Sequence, residues 1–414
     1  MKYKKSIINL FSQYVILGVN IIVPLITMPY LVGKLGIEKY GILVYATALM
    51  TNFKVLLDFG FEVTATRDIA RNVGNAIKID KLISSVFAVK IVYACVGGVI
   101  LYLLLNINNY SSEEEGIYIW TFMTVVFQSM VPIWYFQGVQ NVNIYSNFNI
   151  ASKGSYLLMI LCFVRNEMDY GFVPICSFVT SFLGFVATTQ YMIHNGGVRI
   201  KIPRLNEIIT LIKNGMHVFY SGVFTNIYSS GGVIILGYLG TKDQVGVYSI
   251  GEKIFTLLAS IAQPIAKTIL PNISSLRKNE LNKLFTKYFF SMLSISLIFM
   301  IPIYFGSEIL LITMFKINNQ EINKIFNIQI LISIFAFMNV GLVPFIYAGL
   351  LEKKLTKITG FFSMIYILIC YFGVQIYEVY GAVYSLAIVE IGIWISLMMV
   401  LLKYLKLKAD DREC

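Results

Sequence analysis

Apolar runs of about twenty residues recur along the chain, separated by connectors too short to fold alone, and nothing else in the sequence constrains it as much. Hydrocarbon offers no water to backbone N–H and C=O groups, so a segment that crosses it must be a helix or part of a closed barrel. About 20 apolar residues make one helical crossing. Twelve such runs are read at 8–33, 40–61, 82–105, 116–139, 146–164, 170–192, 216–239, 245–270, 284–306, 325–349, 358–377 and 380–403. They leave roughly 150 of the 414 residues for tails and connectors, too few for a separate soluble domain. Only 13% of the residues are charged, about half of what a soluble domain carries. The sequence therefore predicts an all-α polytopic membrane protein with about 12 transmembrane helices.

The net charge of +11 raises the question of nucleic acid, but the positive charge lies in the connectors and no nucleic-acid partner is expected. With the N-terminus in the cytoplasm, 23 of the 33 Lys and Arg fall on the cytoplasmic side and six on the outside. That is the positive-inside pattern. Lys153 interrupts the fifth run and is counted with the cytoplasmic connector 140–153. The reading places both termini in the cytoplasm. Lys2, Lys4 and Lys5 ahead of an apolar run imitate a signal peptide, but no small-residue cleavage site follows, so a retained first span is expected. The five cysteines are scattered without a CxxC, and His194 and His217 are the only histidines. This pattern supports neither a disulfide framework nor a metal site.

The sequence echoes itself. Tyr40-Gly41, Tyr170-Gly171, Val245-Gly246 and Tyr380-Gly381 each open an even-numbered span, with an acid just ahead (Glu38, Asp169, Asp243, Glu378) placed to favour a helix N-terminus. Leu35-Gly36…Tyr40-Gly41 matches Leu239-Gly240…Val245-Gly246. The expected halves are residues 1–204 and 205–414, with 205–215 an amphipathic linker on the inner surface. Paired halves are a common transporter construction.

Polar residues line up on four helices, the first and second of each half. The first span carries Asn9, Gln13, Asn20, Pro24, Thr27 and Lys34, and the second Thr47, Thr51, Lys54, Asp58 and Glu62. The seventh carries His217, Ser221, Thr225 and Ser229. The eighth carries Ser249, Lys253, Thr256, Ser260, Gln263 and Lys267, with Glu252 beside them. Steps of three and four put each set on one helix face. Ionisable groups inside a membrane face protein or water and mark function by default. Lys34, Lys54, Lys253 and Lys267 are spread through the membrane thickness, which suits a lumen for an anion such as phosphate. Asn20 and Gln13 join them as candidate substrate contacts. Asp58, Glu252 and Glu390 are candidate ion-coupling acids. The plainer alternative pairs Lys54 with Asp58 one turn away and treats the hydroxyls as helix–helix contacts. Lys90 either snorkels or pairs with an acid.

The stretch from Tyr30-Leu-Val-Gly-Lys through Lys39-Tyr40-Gly41, then Asp58-Phe-Gly-Phe and Ala65-Thr-Arg-Asp-Ile-Ala70, resembles the opening of the Wzx-type O-antigen flippases, in the polysaccharide-export branch of the MOP superfamily. Leu236-Gly-Tyr-Leu-Gly240, Tyr248-Ser-Ile-Gly-Glu-Lys-Ile254 and Pro271 resemble that family too. The resemblance implies two six-helix lobes around a central cavity lined by the first, second, seventh and eighth helices. It also implies a cargo: an oligosaccharide on undecaprenyl diphosphate, moved from the cytoplasmic to the periplasmic leaflet of the bacterial inner membrane. Membrane lipids and the polymerase and chain-length proteins of the same pathway are the implied partners. Lys34 stands where relatives often carry Arg, a point charge in place of a bidentate fork. No cofactor is expected beyond a coupling H⁺ or Na⁺. Two other readings are weighed. A multidrug-type antiporter calls for a buried acid in the first span, and residues 8–33 have none. A membrane-embedded polymerase, ligase or glycosyltransferase calls for a long outer loop or soluble domain, and the longest outer connector runs only from about 307 to 324.

Overall fold

The computed structural model describes residues 2–108, 111–274, 278–349 and 351–410. Among them no strand occurs. The helices are α1 (Lys2–Asp58), α2 (Phe61–Arg71), α3 (Ala76–Asn108), α4 (Ser112–Met130), α5 (Ile133–Gly138), α6 (Val142–Phe163), α7 (Phe172–His194), α8 (Leu205–Leu239), α9 (Lys242–Ser274), α10 (Lys278–Phe305), α11 (Ser307–Phe315), α12 (Gln320–Ala348) and α13 (Glu352–Asp410), with a 3₁₀ turn at Glu167–Gly171. Nine stretches of the described residues are long and apolar enough to cross a bilayer. Two of them, of 61 and 54 residues, hold two crossings each. The remaining expected crossing is α6, whose 22 residues make a rod of about 33 Å.

The first and last helix pairs are joined by single residues. The sequence predicts a connector at 34–39, yet helix continues to Leu35 and resumes directly after Gly36, whose φ of 76° and ψ of 169° lie outside any helix. That region is open essentially to glycine alone. The same role in α13 falls to Glu378, at φ 51° and ψ −126°. A non-glycine residue there is strained, and its carboxylate is held by Gln244 Nε2 at 2.7 Å. Two other expected connectors contain helix. Between 62 and 81, α2 buries Phe61, Ala65 and Ile69, one face at steps of four. Between 307 and 324, α11 buries Ser307, Leu311 and Phe315 on the same spacing.

The chain divides into two compact units, Met1–Asn226 and Ile227–Cys414. In the first, α4 packs on α7 and α1, and α6 packs on α1 and α7. α8 starts at Leu205 and runs unbroken to Leu239. Its first turn is tied to this unit by Glu207, which accepts the Arg204 N–H at 3.1 Å and pairs with Lys81 at 3.3 Å. Those two contacts hold the Glu207 carboxyl below the usual carboxylate range. In the second unit α12 is the hub, packed on α9, α13 and α10.

The echo in the sequence extends to contacts. In the first unit Tyr170 Oη donates to Glu113 at 2.9 Å. In the second, Tyr380 Oη donates to Glu321 at 2.9 Å. Each tyrosine belongs to a Tyr-Gly pair, and each acid opens a buried central helix, α4 or α12. Asp169 caps its turn by accepting the N–H groups of Arg165 and Asn166, both at 2.9 Å.

The break at Gly36 yields a direct test. A Cβ at this position would meet nothing within 4 Å, so any penalty is conformational. Gly36→Ala is expected to lower the thermal unfolding temperature through about 1–3 kcal/mol of backbone strain. Gly18→Ala, inside helix and equally open, should leave it unchanged or raise it.

A cationic cleft as candidate functional site

The second arm of α1, residues 37–58, ends on a sharp turn. Phe59 and Gly60 both have positive φ, 41° and 73°, and a Cβ on Gly60 would run into Val218. Glycine is needed there twice over, for conformation and for closeness. The Phe59 ring stacks on Phe219 at 4.4 Å, and Asn226 Nδ2 donates to Asn52 at 2.7 Å. The first part of α8 is thereby fixed along this arm. Because helix stops at Asp58, Glu62 lies on α2 and does not continue the stripe of Lys54.

Asp58 does not pair with Lys54. Its partner is Lys90 of α3, at 3.0 Å. Lys90 is 2% exposed, and its ammonium also donates to the carbonyl of Ser129. A buried ammonium is tolerable only with such partners. The snorkelling reading of Lys90 is set aside for the same reason: it pairs with an acid.

Lys54 instead opens into a cleft of about 190 Å³ contained within the first unit. Asn20 and Lys54 of α1 line it, with Gln128 of α4, Tyr145, Phe148, Asn149, Ser152 and Lys153 of α6, and Ser181 and Thr188 of α7. Two ammonium groups are present and no carboxylate is among the lining residues. Lys153 is near enough to Lys54 for the two charges to repel. The sequence assigns Lys153 to a connector, but it lies eleven residues into α6, about 16 Å along the helix. Tyr145, Asn149 and Lys153 recur at steps of four, a signal that was legible had the run not been read as interrupted there.

The other expected contacts are not among the residues that line this cleft. Gln13 and Lys34 are exposed on the first arm of α1, Lys34 two residues before the break. Lys253 is exposed on α9, with Glu252 half-buried beside it. The Lys267 side chain lies outside the described residues. Many stripe hydroxyls bond to their own helix rather than across helices: Thr27 to Val23, Thr47 to Leu43, Thr51 to Ala48, Thr256 to Glu252 and Ser260 to Leu257. Glu390 is buried in the second unit, accepting from Tyr228 Oη and from Asn339 Nδ2, the latter at 2.6 Å.

Residues 5–277 match the family model described as "Polysaccharide biosynthesis protein". The chain belongs to the polysaccharide biosynthesis protein family. The match covers every residue that lines the cleft. Within curated proteins, the chain is similar to a "Putative O-antigen transporter" of Escherichia coli K12, 29% identical over 64% of each chain, so that alignment spans just under two thirds of that relative. A second protein of the same name, from Shigella dysenteriae, is 23% identical over 94% of this chain and 97% of its own. The fold of this family member is that of solved MATE transporters. An inward-facing multidrug-resistance MATE transporter of the MOP superfamily superposes with a TM-score of 0.65 at 14% identity, covering 94% of this chain and 98% of the other. The bent form of a Vibrio cholerae MATE transporter gives 0.57 at 14% identity, covering 98% and 96%.

The Asp58–Lys90 pair is asymmetric, since the Asp58 side chain is 32% exposed and that of Lys90 2%. Asp58→Asn leaves a buried ammonium without its counter-ion and should cost up to about 3–5 kcal/mol. Lys90→Met leaves only a partly wet carboxylate and should cost less. The double variant is expected to melt above Asp58→Asn alone, measured on detergent-solubilised protein.

Proposed function

We propose that this chain is a flippase, carrying an oligosaccharide on undecaprenyl diphosphate from the cytoplasmic to the periplasmic leaflet of the bacterial inner membrane by alternating access. The observation that carries this reading is the cleft in which Lys54 has no acidic partner, because Lys90 takes Asp58. A membrane-embedded ammonium without a counter-ion calls for an anionic cargo. Family membership and the two O-antigen transporter relatives support saccharide as the rest of that cargo, and the MATE-like fold supports transport rather than an enzymatic reaction. A multidrug-type antiporter is disfavoured, because nothing acidic lies on the first arm of α1 within the expected span 8–33.

The remaining expectations join this reading. Residues 1–204 and 205–414 are the duplicated halves, joined at 205–215, and both termini face the cytoplasm. Lys34, Lys253 and Lys267, with Asn20 and Gln13, serve the cargo path. Membrane lipids, and the polymerase and chain-length proteins of the pathway, are its neighbours. H⁺ or Na⁺ resets the carrier through Asp58, Glu252 or Glu390. Outward movement of an anion is assisted by the membrane potential, by about 2.3 kcal/mol per charge per 100 mV, so the coupling ion is needed for the return.

Deletion of the gene should abolish surface polysaccharide, and plasmid-borne wild type should restore it. Lys54→Ala should restore much less at equal protein level, corresponding to a lost contact of about 1.5–3 kcal/mol, and Lys54→Arg should restore more than Lys54→Gln. Full restoration by Lys54→Ala would overturn the assignment. For the coupling acids, exchanging the pair as Asp58→Lys with Lys90→Asp preserves the ion pair. If that variant transports with unchanged dependence on the proton or sodium gradient, Asp58 is structural and coupling rests on Glu252 or Glu390.

A further inference from the structure

The walls of the cleft differ from end to end. Along α6, Tyr145, Asn149 and Lys153 stand one turn apart, flanked by Phe148 and Ser152, over about 12 Å of helix. One end is therefore aromatic, the middle carries an amide, and the far end carries the ammonium that faces the charge of Lys54. The polar atoms are also directed. Ser152 donates its proton to Thr180 O at 3.1 Å, which leaves its oxygen lone pairs as acceptors. Asn149 Oδ1 is buried without a hydrogen-bond partner. Cations at one end, aromatic rings at the other and acceptors between them suit a ligand with anionic oxygens at one end and a hydroxyl-bearing ring beside them.

From this we infer that the cleft is a glycosyl diphosphate subsite, with the diphosphate between Lys54 and Lys153 and the first sugar over Tyr145 and Phe148. The sugar hydroxyls donate to Asn149 Oδ1 and Ser152 Oγ. Lys153 is thus a binding residue that relieves its repulsion with Lys54 when the dianion enters. An aromatic face suits the C–H surface of a sugar ring, and its polar rim is met by the amide and hydroxyl. The inference rests on the proposed transport of a lipid-linked saccharide and adds which part of the cargo is read, and by which residues.

The test uses the full chain in neutral phosphatidylcholine nanodiscs and three probes: inorganic pyrophosphate, farnesyl diphosphate and farnesyl diphosphate bearing N-acetylglucosamine. The sugar-bearing probe should bind most tightly. Lys153→Gln and Lys54→Gln should each weaken all three by about tenfold or more, with Lys153→Arg retaining most of the affinity. Tyr145→Ala and Asn149→Ala should erase the advantage of the sugar and leave farnesyl diphosphate unaffected. Lys153→Met replaces Lys153→Gln if the latter does not fold, as judged by its melting curve. Binding unchanged by both Lys153 variants, or a sugar advantage that survives Tyr145→Ala and Asn149→Ala, overturns the subsite. Complete competition by phosphatidylglycerol nanodiscs also overturns it, in favour of a general anionic-lipid site. The two readings fail separately. If gene deletion leaves surface polysaccharide intact while binding behaves as stated, transport fails and the subsite stands. If deletion abolishes the polysaccharide while Lys153→Gln binds normally, the subsite fails and transport stands.

Discussion

A bilayer leaves no water for an unpaired backbone group, and that constraint organises this molecule. It forces every crossing into helix and makes any break in a helix costly. The breaks that do occur are brief and specific. Between the first two crossings helix is interrupted at Gly36 alone, and between the last two at Glu378 alone. One is met by the residue that tolerates the conformation, the other by a strained side chain with a hydrogen bond from Gln244 to hold it. The same function is served by two different physical solutions in the two units.

The same scarcity of water governs charge. Lys90 is almost wholly enclosed, and Asp58 is drawn to it in preference to Lys54 on its own helix. An enclosed ammonium gains far more from a counter-ion than one that lines an open cleft, because desolvation leaves it no alternative partner. The consequence reaches the cleft. With Asp58 engaged elsewhere, Lys54 faces Lys153 across a space without a carboxylate in its walls. The Asp58–Lys90 pair thus leaves the Lys54 ammonium without a carboxylate partner.

The internal echo is also read more fully in space than along the chain. The Tyr-Gly pairs are visible in the sequence, but their partners are not, since Glu113 lies 57 residues before Tyr170 and Glu321 lies 59 before Tyr380. Each tyrosine ties the start of its helix to the start of the central helix of its unit. The spacing carries no periodicity that would reveal it, because the intervening residues only set how far the chain travels before returning.

The sequence by itself determined the all-helical class, the twelve crossings and the richness of α1 and α9 in polar residues, because hydropathy and helical spacing are local properties. It also placed Asn20 and Lys54 among the residues to examine. It could not decide which cation meets which acid, so it offered Lys54 to Asp58 on the grounds of adjacency. It took Lys153 as an interruption, because a lysine among apolar residues looks alike whether it ends a span or faces a cleft within one. Only tertiary packing separates those cases. Whether a charge is enclosed, paired or left facing open space depends on helices distant in sequence, here α3, α4, α6 and α7, and no pattern within one helix encodes its neighbours.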